Sequence, residues 1–386
     1  MGDVRNIGKV AIVGVAQTKY EKDKIDQPYS ELVFEVVRKL HTNLGITNDD
    51  VGSVITSSND FNDGRTIANM AIQDAVGSVR KSESRVSGDG AFAFVYGAMR
   101  ILSEEYDTVM VVSHTKCSEV NQYLINNSIF DPYYQRALGL DQISAAGLMA
   151  NMYMKKYGVT EEQAAKIVVK NRKNALNNPY AHLQREVSIE DVLNSPMIAY
   201  PLKELDFPPF SDGAVAMLLT NEENAKKFAD KPVWLKGYGS CTDAYYLGHR
   251  NMTDLIGLEL AAKEAYKMAG ISNPVNEIDV AEVYDAFSVH ELMSYEALRF
   301  CEKGEGGKFM DSGETLMNGN IPVNPSGGIL SSNPTMANGL IRVAEIALQL
   351  MGKANKRQIR DAKLGLANGM NGICSQGNCV LILGGE

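Results

Sequence analysis

Ser211-Asp-Gly-Ala-Val-Ala-Met-Leu-Leu-Thr220 returns near the far end of the chain as Ser375-Gln-Gly-Asn-Cys-Val-Leu-Ile-Leu-Gly384. Each is a turn of small residues running into an apolar strand, so the chain reads as two copies of one α/β unit. The openings of the copies match as well. Val10-Ala-Ile-Val-Gly-Val-Ala16 and Pro232-Val-Trp-Leu-Lys-Gly-Tyr238 are both buried-strand patterns with a late glycine. Halves at 1–231 and 232–386 follow, with a seam between them where a binding cleft is expected.

Outward from these anchors, the first copy predicts a strand at 10–15, a helix at 29–44, a strand at 51–57 and a helix near 66–76. A strand and turn around 84–90, an apolar helix at 91–102 and a fully apolar strand at 108–113 complete it. The stretch from Cys117 to about Met197 is rich in Tyr, Asn and Met and is broken by Asn177-Asn178-Pro179. It reads as a helical insertion, a loop domain at about 118–200. The second copy predicts a helix at 255–269, a strand at 278–283, helices at 288–300 and 336–351, and a last strand at 379–383.

With 45% hydrophobic residues in 386, the chain has material for a large core. A net charge of −9 without a basic stripe argues against a nucleic-acid partner. No apolar run reaches the roughly 20 residues of a membrane helix, and the N-terminus lacks a charged-then-apolar leader, so a cytoplasmic protein is expected. Five scattered cysteines (Cys117, Cys241, Cys301, Cys374, Cys379) form neither a disulfide framework nor a zinc motif. No metal is expected in this chain.

Five further runs carry a resemblance. Glu190-Asp-Val-Leu-Asn-Ser-Pro-Met-Ile-Ala-Tyr-Pro-Leu202, Ser211-Asp-Gly-Ala214, Tyr284-Asp-Ala-Phe287, Leu298-Arg-Phe-Cys-Glu-Lys-Gly-Glu-Gly-Gly307 and Asn324-Pro-Ser-Gly-Gly-Ile329 resemble, in order, the thiolase superfamily. The sterol-carrier-protein-type and archaeal branch is the most similar. The resemblance implies a duplicated five-layered αβαβα fold, a loop domain in the first half, a homodimer core and coenzyme A as co-substrate. It also implies C–C bond chemistry on an acyl-CoA. This branch often works with a small subunit carrying a zinc ribbon and an OB fold, which is therefore an expected partner. A substituted pocket suits the benzoylsuccinyl-CoA type of thiolase, whose aromatic acyl group would want rings such as Phe92, Phe94, Phe207, Phe210 and Phe287.

The chain departs from the family at its signature positions. The turn before the first apolar helix, Val86-Ser-Gly-Asp-Gly90, puts Ser87 where the family has its nucleophilic cysteine, and serine is a weak nucleophile without a base. In the second half Ser332-Asn-Pro334 puts Asn333 in place of a histidine; the amide can still donate a hydrogen bond. Tyr284 replaces the Asn or His that holds an oxyanion-hole water. Replacement chemistry could come from Cys117, if His114 and Lys116 stabilise its thiolate, or from Cys374, near the family's second cysteine. Both can equally be small core residues. Tyr284 also fits thiolase-like retro-aldolases, with His290 orienting it or merely capping a polar face. Arg185, Tyr245, Tyr246, His249 and Arg250 are candidates for holding CoA through phosphate contacts and adenine stacking. The segment 121–135 reads as a loop that covers the cleft. The alternatives to a thiolase are a retro-aldolase and a non-catalytic acyl-CoA-binding subunit.

Overall fold

The computed structural model describes residues 9–385. Its strands are β1 (Val10–Gln17), β2 (Ser53–Ser57), β3 (Ser82–Val86), β4 (Thr108–Lys116), β5 (Met197–Ala199), β6 (Leu202–Lys203), β7 (Asp212–Asn221), β8 (Val233–Thr242), β9 (Val280–Glu282), β10 (Leu364–Asn371) and β11 (Gly377–Gly384). Nine of them make one sheet in the order β3-β2-β4-β7-β1-β8-β11-β10-β9, and β5 with β6 makes a small separate ribbon. β4 is buried at all nine of its residues and β11 at all eight. Strands apolar on both faces need helices on both sides, which is what the chain supplies.

The duplication is visible in the pairing. In the first half β2 runs parallel to β4, β4 antiparallel to β7, and β7 antiparallel to β1. The second half repeats this with β9 parallel to β10, β10 antiparallel to β11, and β11 antiparallel to β8. The two segments that opened the sequence reading, β7 and β11, thus hold equivalent places. The first-half edge strand β3 has a vestigial counterpart, a single parallel bridge between Ala281 and Val323. Pairing of Ala11 with Trp234 and Ile12 with Val233 joins the halves.

Five layers result. Helix Tyr29–Leu44 covers β1 and β7 on one outside, and helix Ile256–Ala269 covers β8 and β11 on the other. Between the half-sheets, helices Gly90–Leu102 and Asn338–Leu350 pack on each other. The outer helix Ile256–Ala269 lies very close to its strand: a Cβ at Gly239 would stand 2.1 Å from the Ala261 carbonyl oxygen. Only glycine admits that approach.

The segment following β4 is helical, with helices Gln122–Ser128, Gln142–Tyr157, Glu161–Ala175 and Ile189–Asn194. Its apolar residues, among them Met149, Tyr153, Ile167 and Val168, join one core with Leu258, Leu292 and Tyr295 of the second half. The insertion therefore packs on the opposite copy from the one that carries it.

Two expectations need correction, and one strand was not expected. The helix expected near 66–76 is only a 3₁₀ turn, Ala68–Ile72, entered through Ile67, whose left-handed φ of 54° keeps any helix from starting before it. The loop expected at 121–135 contains the helix Gln122–Ser128, capped by the Asn121 side chain on the Tyr123 and Leu124 amides. Strand β10 has no counterpart in the reading above.

Candidate active site

A cavity of about 1480 Å³ opens where the turns preceding the two central helices meet. Ser87, Cys117, Tyr284, His290, Asn333 and Cys374, chosen separately from the sequence, all line it. The fold explains the convergence. Ser87 follows β3, Cys117 follows β4, Tyr284 follows β9 and Cys374 follows β10, and Asn333 precedes the helix Asn338–Leu350.

Asp89 locks the two central turns together, a role the sequence reading missed. Its carboxylate accepts from Ala91 N at 3.0 Å, capping its own helix, and from Gly339 N at 2.7 Å, capping the other. The Asp89 amide in turn donates to Asn371 Oδ1 at 2.7 Å. A Cβ on Gly339 would fall 1.7 Å from Asp89 Oδ1, so glycine is required there. Burial pushes the Asp89 carboxyl up to about 7, with the two N–H donors opposing. The signal in sequence is an aspartate directly before an apolar helical run. Replacing Asp89 with alanine removes two caps, at about 1 kcal/mol each, and strands a buried N–H at about 1–3 kcal/mol. A loss of about 3–5 kcal/mol in urea unfolding is expected; an unchanged midpoint would show that the carboxylate caps neither helix.

The cysteines lining the cavity are thiols. Burial pushes Cys117 up to about 12, against hydrogen bonds from Thr335, whose Oγ1 lies 3.8 Å from the sulfur. Burial does the same to Cys374, with Arg250 opposing. At such values about one part in 10⁵ is thiolate at neutral pH. The expected helpers of Cys117 face other groups: Lys116 Nζ bonds Asp212 Oδ2 at 2.7 Å, and His114 Nε2 lies 3.3 Å from Asp63 without a hydrogen bond. Cys117→Ala is accordingly expected to keep kcat/KM within about tenfold, whereas a loss near 10³-fold would identify Cys117 as a nucleophile after all. Ser87 is exposed, and among the described residues its hydroxyl has no base as partner.

Tyr284, Asn338 and Asn333 form a chain. Asn338 Nδ2 donates to Asn333 Oδ1 at 2.7 Å and to the Tyr284 hydroxyl at 3.3 Å. Asn333 is thereby oriented with its own NH₂ left for the cavity. Its backbone is held from behind, because Asn333 N donates to Ser211 Oγ at 3.1 Å and Ser211 Oγ meets His182 Nδ1 at 2.9 Å. Burial, with the Asp89 charge adding to it, raises the Tyr284 phenol well above its ordinary value, so it stays protonated and is a proton donor. His290 is the matching acceptor. Its Nδ1 lies 2.6 Å from the carbonyl oxygen of Tyr284 and must donate to it, which leaves the buried Nε2 as the unprotonated, unpartnered nitrogen. Burial brings His290 down to about 4, so the imidazole is neutral near pH 7. His290 thus holds the backbone of Tyr284 rather than its hydroxyl.

Of the residues expected to hold CoA, only Tyr245 lines the cavity, with its hydroxyl on Ile129 O at 2.7 Å. Arg250 is spent: Nη1 donates to Ile373 O at 2.8 Å, Nη2 to Cys374 O, and Nε pairs with Asp243 at 3.4 Å. It holds the Cys374 turn, whose φ of 47° at Cys374 and 59° at Ser375 needs such support. Arg185 and His249 are exposed outside the cavity wall, and Tyr246 packs on Tyr134, Tyr245 and His249. Among the aromatic candidates Phe207, Phe210 and Phe287 line the cavity, while Phe92 and Phe94 belong to the core between the half-sheets. The helix Gln122–Ser128 borders the opening, with Tyr123 against Phe210. Among the described residues no three His, Cys, Asp or Glu side chains are grouped to hold a metal, and no helix is long and apolar enough to cross a membrane.

The family model for the thiolase N-terminal domain matches residues 10–223, and the thiolase C-terminal domain-like model matches residues 239–385. An acetyl-CoA acetyltransferase of Methanothermobacter thermautotrophicus is 33% identical over 372 residues, 94% of this chain and 96% of that protein. The benzoylsuccinyl-CoA thiolase subunit BbsB of Thauera aromatica is 36% identical over 214 residues, 55% of each chain. Among solved structures, one described as an Ltp2-ChsH2(DUF35) aldolase superposes with a TM-score of 0.85 at 26% identity and covers 98% of both chains.

Proposed function

The chain belongs to the thiolase family, and we propose that it is an acyl-CoA C-acyltransferase, making or breaking the C2–C3 bond of a 3-oxoacyl-CoA with CoA as co-substrate. The observation that carries this reading is the single cavity that joins both central turns around a neutral imidazole, a protonated phenol and a free amide donor. In the cleavage direction the CoA thiol loses its proton to His290 Nε2 and the sulfur attacks C3. The C2–C3 bond breaks, its electron pair passes into the thioester enolate, and Asn333 donates to the enolate oxygen. C2 then takes that proton back from His290 Nε2, and the Tyr284 phenol stays protonated throughout. One 3-oxoacyl-CoA and one CoA give two acyl-CoA molecules, and no enzyme thiolate is required. Phe207, Phe210 and Phe287 favour an aromatic acyl group, in keeping with the likeness to BbsB.

Retro-aldol cleavage of a β-hydroxyacyl-CoA is the second reading. It is favoured by the buried Tyr284 phenol beside Asn338 and by the likeness to an aldolase. A homodimer core with a small zinc-ribbon and OB-fold subunit is the proposed assembly, supported by the two-component name of that neighbour and the subunit designation of BbsB. The deciding assay supplies 3-oxoacyl-CoA esters, with and without free CoA, to the purified protein and to its complex with any co-purifying subunit. Consumption of one CoA per cleavage supports the acyltransferase. An aldehyde or ketone released from a β-hydroxyacyl-CoA without CoA consumption would replace it with the aldolase.

A further inference from the structure

Six Lys or Arg side chains are buried among the described residues: Lys116, Lys170, Arg172, Lys203, Arg342 and Arg357. Five have anionic partners: Lys116 pairs with Asp212, Lys170 with Glu291, Lys203 with Glu161, Arg342 with Glu282 and Arg357 with Glu345. Arg172 has none. It is 5% exposed, lines the cavity from the helix Glu161–Ala175, and its Nε is buried without a hydrogen-bond partner. A buried charge is ordinarily paired, because removal from water costs several kcal/mol. Asp285, the carboxylate whose charge reaches Arg172, is already occupied by Asn171 Nδ2 at 2.9 Å, Leu330 N at 3.1 Å and Ile329 N. Burial pulls Arg172 down to about 10 against the pull of Asp285, so it remains a cation at neutral pH.

Its place in the wall identifies what it would meet. His182, whose affinity for a proton is lowered by burial and then by the Arg172 charge, borders the same cavity and holds the Asn333 turn through Ser211 and Ser332. Phe207, Phe210 and Phe287, the rings proposed to take the acyl group, line the same cavity as Arg172. We propose that Arg172 binds a carboxylate carried by the acyl group, so that the preferred substrates are CoA thioesters of dicarboxylic acids. A guanidinium fork matches a carboxylate bidentately and supplies the counter-charge this site lacks. The assignment rests on the CoA-thioester reading above and extends it to a substrate class.

Calorimetric titration with succinyl-CoA, butyryl-CoA and free CoA tests it without turnover. Wild type is expected to bind succinyl-CoA about 10–100-fold more tightly than butyryl-CoA, which has the same chain length and no carboxylate. In Arg172→Met that preference should fall to within about threefold of unity, with Arg172→Lys intermediate because it keeps the charge and loses the fork. Equal affinities in wild type would overturn the assignment whether or not the variants fold. Equal weakening of all three ligands in Arg172→Met would also overturn it, since the arginine would then be reading a phosphate of CoA. If no CoA compound binds at all, the thioester reading falls and this assignment with it.

Discussion

Replacing His290 with glutamine is expected to lower kcat/KM by about 10²–10⁴-fold, the range for loss of a positioned general base. Glutamine can still donate to the Tyr284 carbonyl, which His290 Nδ1 meets at 2.6 Å, but it offers no basic lone pair in place of Nε2. The pH profile gives the sharper test. Burial holds His290 down to about 4, so the active, neutral form is lost only as pH falls through that value, and kcat/KM should be flat from there to neutrality. The same depression links to stability. A free histidine titrates at about 6.5, so the unfolded chain takes up the proton first. The contribution of neutral His290 is complete above about 6.5 and is lost as pH falls toward about 4. Activity of His290→Gln within threefold of wild type, with the acid limb intact, would remove the imidazole from the mechanism.

The second large effect lies behind the site. Lys170→Met is expected to cost about 3–5 kcal/mol, the usual consequence of leaving one member of a buried ion pair alone. Glu291 is fully buried and accepts from Lys170, from Asn171 Nδ2, from Asn324 Nδ2 at 2.9 Å and from the Tyr295 hydroxyl. Lys170 Nζ also donates to Val323 O at 2.9 Å. Without the ammonium, a carboxylate remains among neutral donors. Adding Glu291→Gln removes that charge while keeping an acceptor, so the double variant should recover part of the loss. Urea unfolding measures both, and a single variant within 1 kcal/mol of wild type would mean that the Lys170–Glu291 pair does not hold this core together.

Much of this fold was legible because its strands and helices carry strong, simple patterns. β1, β7, β8 and β11 are apolar runs beside small residues, and helix Tyr29–Leu44 was read to its residue limits. β10 escaped because Gly365, Asn368, Gly369 and Asn371 dilute it. The reason is packing: a Cβ on Gly369 would stand 2.4 Å from the Ala91 side chain. The candidate catalytic groups were legible as turn positions, and the turns converge. Side-chain direction was not legible. Nothing in the sequence around Arg250 says that it turns inward to carbonyls, nor that Phe92 and Phe94 face the core instead of the cavity. Arg172 lies in the polar run Lys170-Asn-Arg-Lys-Asn174, where only the structure distinguishes a buried guanidinium from a solvated one.

The packing of the inserted helices on the opposite half has a consequence for synthesis. When residue 231 leaves the ribosome, every strand of the first half-sheet has been made. Met149, Ile167 and Val168, however, are still without Leu258, Leu292 and Tyr295, the residues that close over them. β1 likewise waits for β8 along one edge, and the central helix Gly90–Leu102 for its partner Asn338–Leu350. The nascent chain thus carries unburied apolar surface and an open strand edge until nearly the whole sequence has been translated. Such exposed surface and open edges favour aggregation, and the core closes as one late event rather than half by half.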